Sequence, residues 1–302
     1  MHTIQKLYKV GADVLKNANI DSYLLDARIL LMHALKIKLE EFVVMYNQKV
    51  TSILAEKYFS YIEERKAEKP IAYIVGYKEF YGRVFDVTDQ VLIPRPDSEI
   101  LIDAILSDYI SNVYIQKPTR VLELGAGSGC LILTVIQEIL LKNKASRFDH
   151  NNISRIAYGT AVDISQSAID VCKKNAQKMN VDSVIQCIHM NWLDFLKKNT
   201  CRNIPDIIIA NPPYIRSNAV LSKSVYQYEP HIALFGGNDG LSSYKEIAQN
   251  IRCMMGSKTL LYVEIGCGMM DRVTKLFEEQ SLALVSSYKD LNNFTRCLKF
   301  SL

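Results

Sequence analysis

None of the seven cysteines in this chain belongs to a CxxC pair, and their number is odd. That argues against a disulfide framework and against a structural zinc site, and leaves them as small buried hydrophobes of a reducing compartment. No stretch approaches the roughly 20 consecutive apolar residues a membrane-spanning helix needs. The N-terminal MHTIQKLYKVGADVLK is amphipathic but lacks the apolar run and small-residue cleavage site of a secretory signal. The sequon Asn152-Ile153-Ser154 is accordingly read as without consequence. Charge of one sign is missing as well: 36 Lys+Arg against 32 Asp+Glu leave +4, short of the dense basic stripe of a dedicated nucleic-acid binder. There are no internal repeats. The expectation is a soluble, cytoplasmic, monomeric protein with no metal, no membrane partner and no required nucleic acid. Its 302 residues, 49% hydrophobic and 23% charged, suffice for one large core or two domains.

What is present changes character along the chain. Residues 1–75 read as helices. In IDSYLLDARILLMHALK, Leu24, Ala27, Leu30, Leu31 and Ala34 fall on one helical stripe, with Asp21 or Ser22 as cap. SILAEKYFSYIEERKAEKP is similar and Pro70 ends it. This region carries 11 Lys/Arg and 9 Asp/Glu, so it is no basic arm. Residues 76–95 alternate, with aromatics and Gly82, and read as a β-hairpin linker. The domain over 96–302 opens with a helix whose first turn holds Pro96, Asp97 and Glu99. From residue 120, strands and helices alternate, which predicts an α/β domain with a mostly parallel sheet covered on both faces. LALVSSYKD and TRCLKFSL close it as two strands, and KNKASRFDHNNIS, 142–154, reads as a surface insertion.

Strand VLEL runs into Gly125-Ala126-Gly127-Ser128-Gly129. Glycines permit a sharp turn and close approach of a ligand to the backbone, and the next helix offers free N–H groups and the positive end of its dipole. The spacing is GxGxG, not the GxGxxG of dinucleotide folds, and alone it fits a tight packing turn. Asp163 ends the next strand, where a carboxylate can accept both ribose hydroxyls of an adenosine, and Trp192 follows the third, where a flat ring can cover an adenine. A nucleotide-like ligand belongs at such strand ends.

Strand DIIIA ends in Asn211-Pro212-Pro213-Tyr214. Prolines cannot continue a central strand, so they make a stiff elbow at its carboxyl end. Asn211, preceding a proline, is held extended, and its side-chain oxygen and the Pro212 carbonyl are both acceptors. Two convergent acceptors grip one NH₂ group, with Tyr214 against the planar group that carries it. This suits methyl transfer to a planar amino or amide nitrogen, where orientation supplies much of the rate and no metal or ionising base is required.

The α/β half resembles the seven-stranded class I S-adenosylmethionine-dependent methyltransferases, a Rossmann-like fold, and NPPY is similar to the motif of their amino-methylating branch. That motif does not choose among DNA adenine, ribosomal RNA guanine and protein glutamine enzymes. Three stretches do: PIAYIVGYKEFYGRVFDVTDQVLIPRPDSEILID from Pro70, DARILLMHAL at 26–35, and YEPHIALFGGNDGLSSY resemble the HemK/PrmC family, the release factor glutamine methyltransferases. The resemblance implies that Gly125, Ala126, Gly127, Ser128 and Gly129 line the methionine end of S-adenosylmethionine, that Asp163 holds its ribose and that Trp192 lies by its adenine. Asn211 would touch both cofactor and substrate. Asn211, Pro212, Pro213 and Tyr214 would hold the substrate glutamine of the Gly-Gly-Gln motif of class 1 peptide chain release factors, with Asn211, Pro212 and Tyr214 carrying the catalysis. The helical domain would contact the rest of the release factor. Ser98 stands where Thr is usual, Gln227 replaces a common Arg, and Met269 a frequent Gln. The alternatives are a ribosomal-protein glutamine enzyme or a DNA or RNA amino-methyltransferase using the same NPPY.

Glu123 is read either as a charge near the sulfonium or as a support of the glycine loop, Glu229 as a turn cap rather than part of a lid, and His189 as structural.

Overall fold

The computed structural model describes residues 2–111, 118–144, 156–198 and 204–302. The insertion expected at 142–154, beyond residue 144, and the sequon at 152–154 lie outside the described residues. The chain divides into two compact units, Met1–Tyr77 with Leu221–Tyr228, and Lys78–Val220 with Glu229–Leu302.

The first unit runs β1 (His2–Thr3), α1 (Ile4–Asn17), α2 (Tyr23–Leu35), α3 (Leu39–Val44), β2 (Lys49–Val50), α4 (Ser52–Lys66) and α5 (Ile71–Val75). Thr3 caps α1 by accepting the Lys6 N–H at 3.2 Å. Its core gathers Leu7, Leu15, Leu30, Leu31, Tyr58 and Ile62, all fully buried. The stripe on α2 holds at Ala27, Leu30, Leu31 and Ala34 but not at Leu24, which is 50% exposed. At that turn the buried position belongs to Asp26, which accepts the Ser22 hydroxyl at 2.7 Å and pairs with Arg65 at 2.7 Å. Ser22 is the first-turn cap by position, yet its hydroxyl serves Asp26 and not the backbone. A buried carboxylate is tolerated there because it is paired.

The second unit starts in the hairpin of β3 (Tyr77–Phe80) and β4 (Arg83–Asp86), turned on Tyr81 and Gly82, both at positive φ. A two-residue turn of that kind matches the twist of the strands it joins. The chain continues through α6 (Glu99–Ser111), β5 (Thr119–Leu124), α7 (Cys130–Lys144), β6 (Ala157–Asp163), α8 (Gln166–Lys178), β7 (Ile185–His189), α9 (Trp192–Lys198) and β8 (Ile207–Ala210). After α10 (Lys223–Tyr228), which belongs to the first unit, come α11 (Ser242–Ile251), β9 (Leu260–Glu264), α12 (Met270–Glu278), β10 (Ala283–Lys289) and β11 (Thr295–Ser301).

Seven strands form one sheet in the order β10-β11-β9-β8-β5-β6-β7. The pairs from β9 to β7 are parallel, and β11 runs antiparallel to both its neighbours. Strands of this sheet are apolar on both sides. Ile207 and Ile209 of β8 pack in the core shared with α6 and α7, while Ile208 and Ala210 pack in the core shared with α11 and α12. Alternate side chains of a strand point to opposite faces, so such strands are held only where helices cover both. The fold is α/β, with the mostly parallel sheet covered by helices on both faces that the alternation of strands and helices predicts.

The boundaries differ from those expected at 75 and 95. Phe80 and Phe85 are buried among Leu101 and Ile105, so the hairpin is part of the second unit's core. The segment 221–228 joins the first unit, where the Tyr228 hydroxyl donates to the Ala67 carbonyl at 3.1 Å. If the hairpin is core, Phe85→Ala costs about 3–5 kcal/mol. Urea unfolding followed by the fluorescence of Trp192, the single tryptophan, measures it; a cost below about 1 kcal/mol is what a mere linker would give.

Candidate active site

Four parallel strands stop on a common line. Leu124 of β5 lies opposite Val162 of β6 and Ala210 of β8, and Ala210 lies opposite Val263 of β9. The next residues along are Gly125, Asp163, Asn211 and Glu264. Because β6 and β8 flank β5 on opposite sides, the crossovers diverge there, and a crevice opens outside the carboxyl ends. A cavity of about 380 Å³ occupies it, lined by Gly125 to Ser128, Asp163, Trp192, Asn211 and Pro213. Its apolar wall includes Val91, Leu92, Ile232 and Phe235. A volume of that order suits a small organic ligand.

One carboxylate fixes the glycine loop, and a second holds the first turn of the helix that follows it. Asp163 accepts the Gly127 N–H at 2.8 Å through one oxygen and the Ser165 N–H at 2.8 Å through the other. Burial pushes its pKa up, and these backbone hydrogen bonds oppose the rise. Glu123, 1% exposed, accepts the Ile132 N–H at 3.0 Å in the first turn of α7, and burial raises its pKa well above the usual carboxylate range. The bond lies in the helix that follows the glycine loop, and Glu123 also lines the cavity. Trp192 lies over Gly125, where an added Cβ would come 3.2 Å from the indole. Its N–H donates to Glu246 at 3.1 Å, which sets the plane of the ring.

At the proline elbow, Asn211 and Pro213 face the cavity. The Asn211 amide nitrogen donates to the Ser98 hydroxyl at 3.4 Å. Glu264, 2% exposed, accepts the Tyr214 hydroxyl at 3.4 Å through one oxygen, and its other oxygen, Oε2, has no hydrogen-bond partner among the described residues. Burial pushes its pKa up to about 7, against the pull of Ser98, Arg296 and Tyr214. Arg95 pairs with Glu229 at 2.5 Å, and Glu229 also accepts the Ile93 N–H at 3.3 Å. Glu229 is thus no turn cap: it ties two walls of the cavity, the stretch at Pro94–Arg95 and the stretch at Pro230–Ala233. His189 holds the Ile164 carbonyl at 2.9 Å, a local tie.

Three expected positions stand elsewhere. Gly129 does not line the cavity. It makes room for Cys172, whose sulfur would lie 2.6 Å from an added Cβ, and it has φ +79. Pro212 is buried, and Tyr214 is turned away from the cavity, its ring against Gly266 and its hydroxyl on Glu264. The physical reason is alternation: an extended elbow that shows Asn211 and Pro213 to the cavity turns Pro212 and Tyr214 to the other side. Burial is the main reason the Tyr214 pKa is pushed up. Ser98, Glu246 and Glu264 were not legible as site residues. Glu264 had a signal, since LLYVE ends in an acid as TAVD does; Ser98 and Glu246 come in only through tertiary packing.

Comparison with known proteins agrees with this geometry. The family model of the PrmC N-terminal domain matches residues 6–76, and that of "Conserved hypothetical protein 95" matches residues 150–234. A release factor glutamine methyltransferase of Agrobacterium fabrum is 31% identical over 95% of this chain and 93% of its own length. One of Cereibacter sphaeroides is 32% identical over 92% and 91%. A bifunctional methyltransferase of Rickettsia bellii is 34% identical over all of this chain but only 55% of its own length, so the chain spans about half the length of such relatives. Among solved structures, the catalytic domain of hMettl16 in complex with MAT2A 3′UTR hairpin 1 superposes with a TM-score of 0.52 at 14% identity, over 90% of each chain; this shows the fold alone. With near full-length identity above 30% on both sides, the chain belongs to the HemK/PrmC family, the release factor glutamine methyltransferases.

Proposed function

We propose that this protein transfers a methyl group from S-adenosylmethionine to the side-chain amide nitrogen of the glutamine in the Gly-Gly-Gln motif of class 1 release factors. The observation that carries the reading is the shared strand-end row, which brings the glycine loop, Asp163 and the Asn-Pro-Pro elbow around one cavity. The names of the relatives support the substrate class.

The residues present fit the cofactor. Gly125, Ala126, Gly127 and Ser128 offer backbone to its amino-acid end, Asp163 keeps spare carboxylate lone pairs for ribose hydroxyls, and Trp192 offers a flat, fixed face for an adenine. When bound, S-adenosylmethionine supplies an electrophilic methyl on a positively charged sulfur. The chain's own residues do the rest. Asn211 and the Pro212 carbonyl present two acceptors to one amide NH₂, turning the nitrogen toward the methyl donor. An amide nitrogen is a weak nucleophile, so holding it in line supplies much of the rate. The same acceptors strengthen as the nitrogen becomes positive, which favours the transition state over bound substrate. The apolar wall of Val91, Leu92, Ile232 and Phe235 keeps water from the reaction. No ionising base is needed, because the proton leaves after transfer. The helical unit is the proposed contact for the body of the release factor, in the cytoplasm, with the enzyme as a monomer.

Mass spectrometry of a release factor incubated with the protein and S-adenosylmethionine tests this: one added methyl on the Gly-Gly-Gln glutamine is expected. Modification of a ribosomal protein or of RNA instead, with the release factor unchanged, overturns it. Asn211→Ala lowers kcat by about 10²–10³-fold while calorimetric binding of S-adenosylhomocysteine stays within a few-fold. Asp163→Ala chiefly weakens that binding, by about 10–100-fold, a cost of roughly 1.4–2.8 kcal/mol. Equal loss of binding in both variants refutes the assigned roles.

A further inference from the structure

Two thiols meet behind the glycine loop. Cys172 of α8 is fully buried, and Cys187 of β7 is half-buried. The Cys187 thiol donates to the Cys172 sulfur at 3.6 Å. β7 is an edge strand of the sheet, so a small solute reaches the pair through Cys187. Cys172 also packs against the last glycine of the loop, since a Cβ on Gly129 would lie 2.6 Å from its sulfur. One turn further along α8, the fully buried Asn175 donates to the Ser128 carbonyl at 2.9 Å. The loop that lines the cavity is thus propped from behind at two adjacent residues, Ser128 and Gly129, and Cys172 is one of the props.

We propose that Cys172 and Cys187 form a redox-sensitive modification site: a hydroperoxide joins them in a disulfide, and the joined form holds the cofactor more weakly. The disulfide stands on the geometry of the two cysteines alone; its effect rests on the cofactor reading given above.

The thiolate is the reactive form of cysteine. When Cys187 ionises, the Cys172 thiol turns to donate to it. That hydrogen bond lowers the Cys187 pKa, and Lys173 adds to the fall against the pull of burial. Cys172 keeps its proton, because the same hydrogen bond and its burial raise its pKa well above the ordinary value. Cys187 is therefore the attacking sulfur and Cys172 the resolving one. The Cys187 thiolate attacks an oxygen of the hydroperoxide. An S–O bond forms, the O–O bond breaks, and the leaving oxygen takes a proton from water to depart as an alcohol, or as water from hydrogen peroxide. Cys187 is then a sulfenic acid. The Cys172 sulfur attacks the Cys187 sulfur, the S–S bond forms, the S–O bond breaks, and the hydroxyl leaves as water with the Cys172 proton. Two electrons pass from the thiols to the peroxide, and a dithiol reductant reverses the change by exchange.

The sulfurs of a disulfide lie about 2 Å apart, so the pair must close by about 1.5 Å from its 3.6 Å separation. In the order β5-β6-β7, the strand that carries Cys187 lies beyond β6 from the strand that carries the glycine loop. Closure therefore draws the Cys172 sulfur toward the sheet edge and away from Gly129. It also pulls on the bond from Asn175 to Ser128, one turn along the same helix.

The test exposes the full chain to hydrogen peroxide, alkylates the remaining thiols with iodoacetamide and digests with trypsin. Lys173, Lys174 and Lys178 lie between the two cysteines, so a peptide pair joined through Cys172 and Cys187 is recognised by its mass, and it is expected. Calorimetric affinity for S-adenosylhomocysteine is expected to fall about tenfold on oxidation and to return with dithiothreitol. Cys187→Ser and Cys187→Ala are expected to bind as the reduced wild type does and to keep that affinity in peroxide. Alkylation of both cysteines after peroxide overturns the disulfide. A joined pair with unchanged affinity, or an equal loss of affinity in the Cys187 variants, overturns its link to the cofactor. A reduced wild type that does not bind S-adenosylhomocysteine overturns instead the cofactor reading, and the joined peptide still decides the disulfide.

Discussion

A single register row governs this protein. Four parallel strands, β9, β8, β5 and β6, end together, and the residues just past that edge form most of the polar half of the site. The row exists because these strands are apolar on both faces and are clamped by helices from both sides. A slip of one residue would swap every side chain between two filled cores. Hydrophobic burial thus sets positions to a fraction of a residue spacing, and the polar groups past the edge inherit that precision without having to create it. The antiparallel β11 at one side extends the sheet and places Cys297 opposite Glu264, which keeps the back of the site dry.

Three carboxylates sit at or near this edge, and each is spent on holding something. Glu123 holds the first turn of α7, Asp163 holds the glycine loop, and Glu264 holds the Tyr214 hydroxyl. Burial raises all three pKa values, yet their partners differ. Asp163 and Glu123 accept backbone N–H groups, which carry fixed protons. Glu264 accepts the Tyr214 hydroxyl, whose proton can reorient. The tie between Arg95 and Glu229 braces the opposite rim. The costs of desolvating these groups are met by the large apolar cores on either side of the sheet, which is the ordinary way a stable scaffold supports a locally unfavourable site.

Much of the fold was legible. The switch from helical to alternating periodicity, the strand-then-glycine turn, the acid ending the next strand and the prolines ending the fourth all sit within short windows, where local chemistry has few alternatives. Proline has no N–H and glycine has no Cβ, so their positions read directly as backbone events. The helix stripe on α2 was legible except at Leu24, where a buried ion pair between Asp26 and a residue 39 positions away displaced it.

The kind of chemistry follows from the residues in chain order: a glycine turn, an acid and a proline elbow at strand ends admit few ligands and few reactions. Which side chains face the cavity and which stand behind it comes from packing alone. Gly129 and Tyr214 belong to the motifs yet turn to the core, while Ser98 lies 113 residues before Asn211 and still touches it. The reason is physical. Backbone conformation follows from neighbours in the chain, whereas the direction of a side chain and the proton it is offered depend on packed partners that no local window contains.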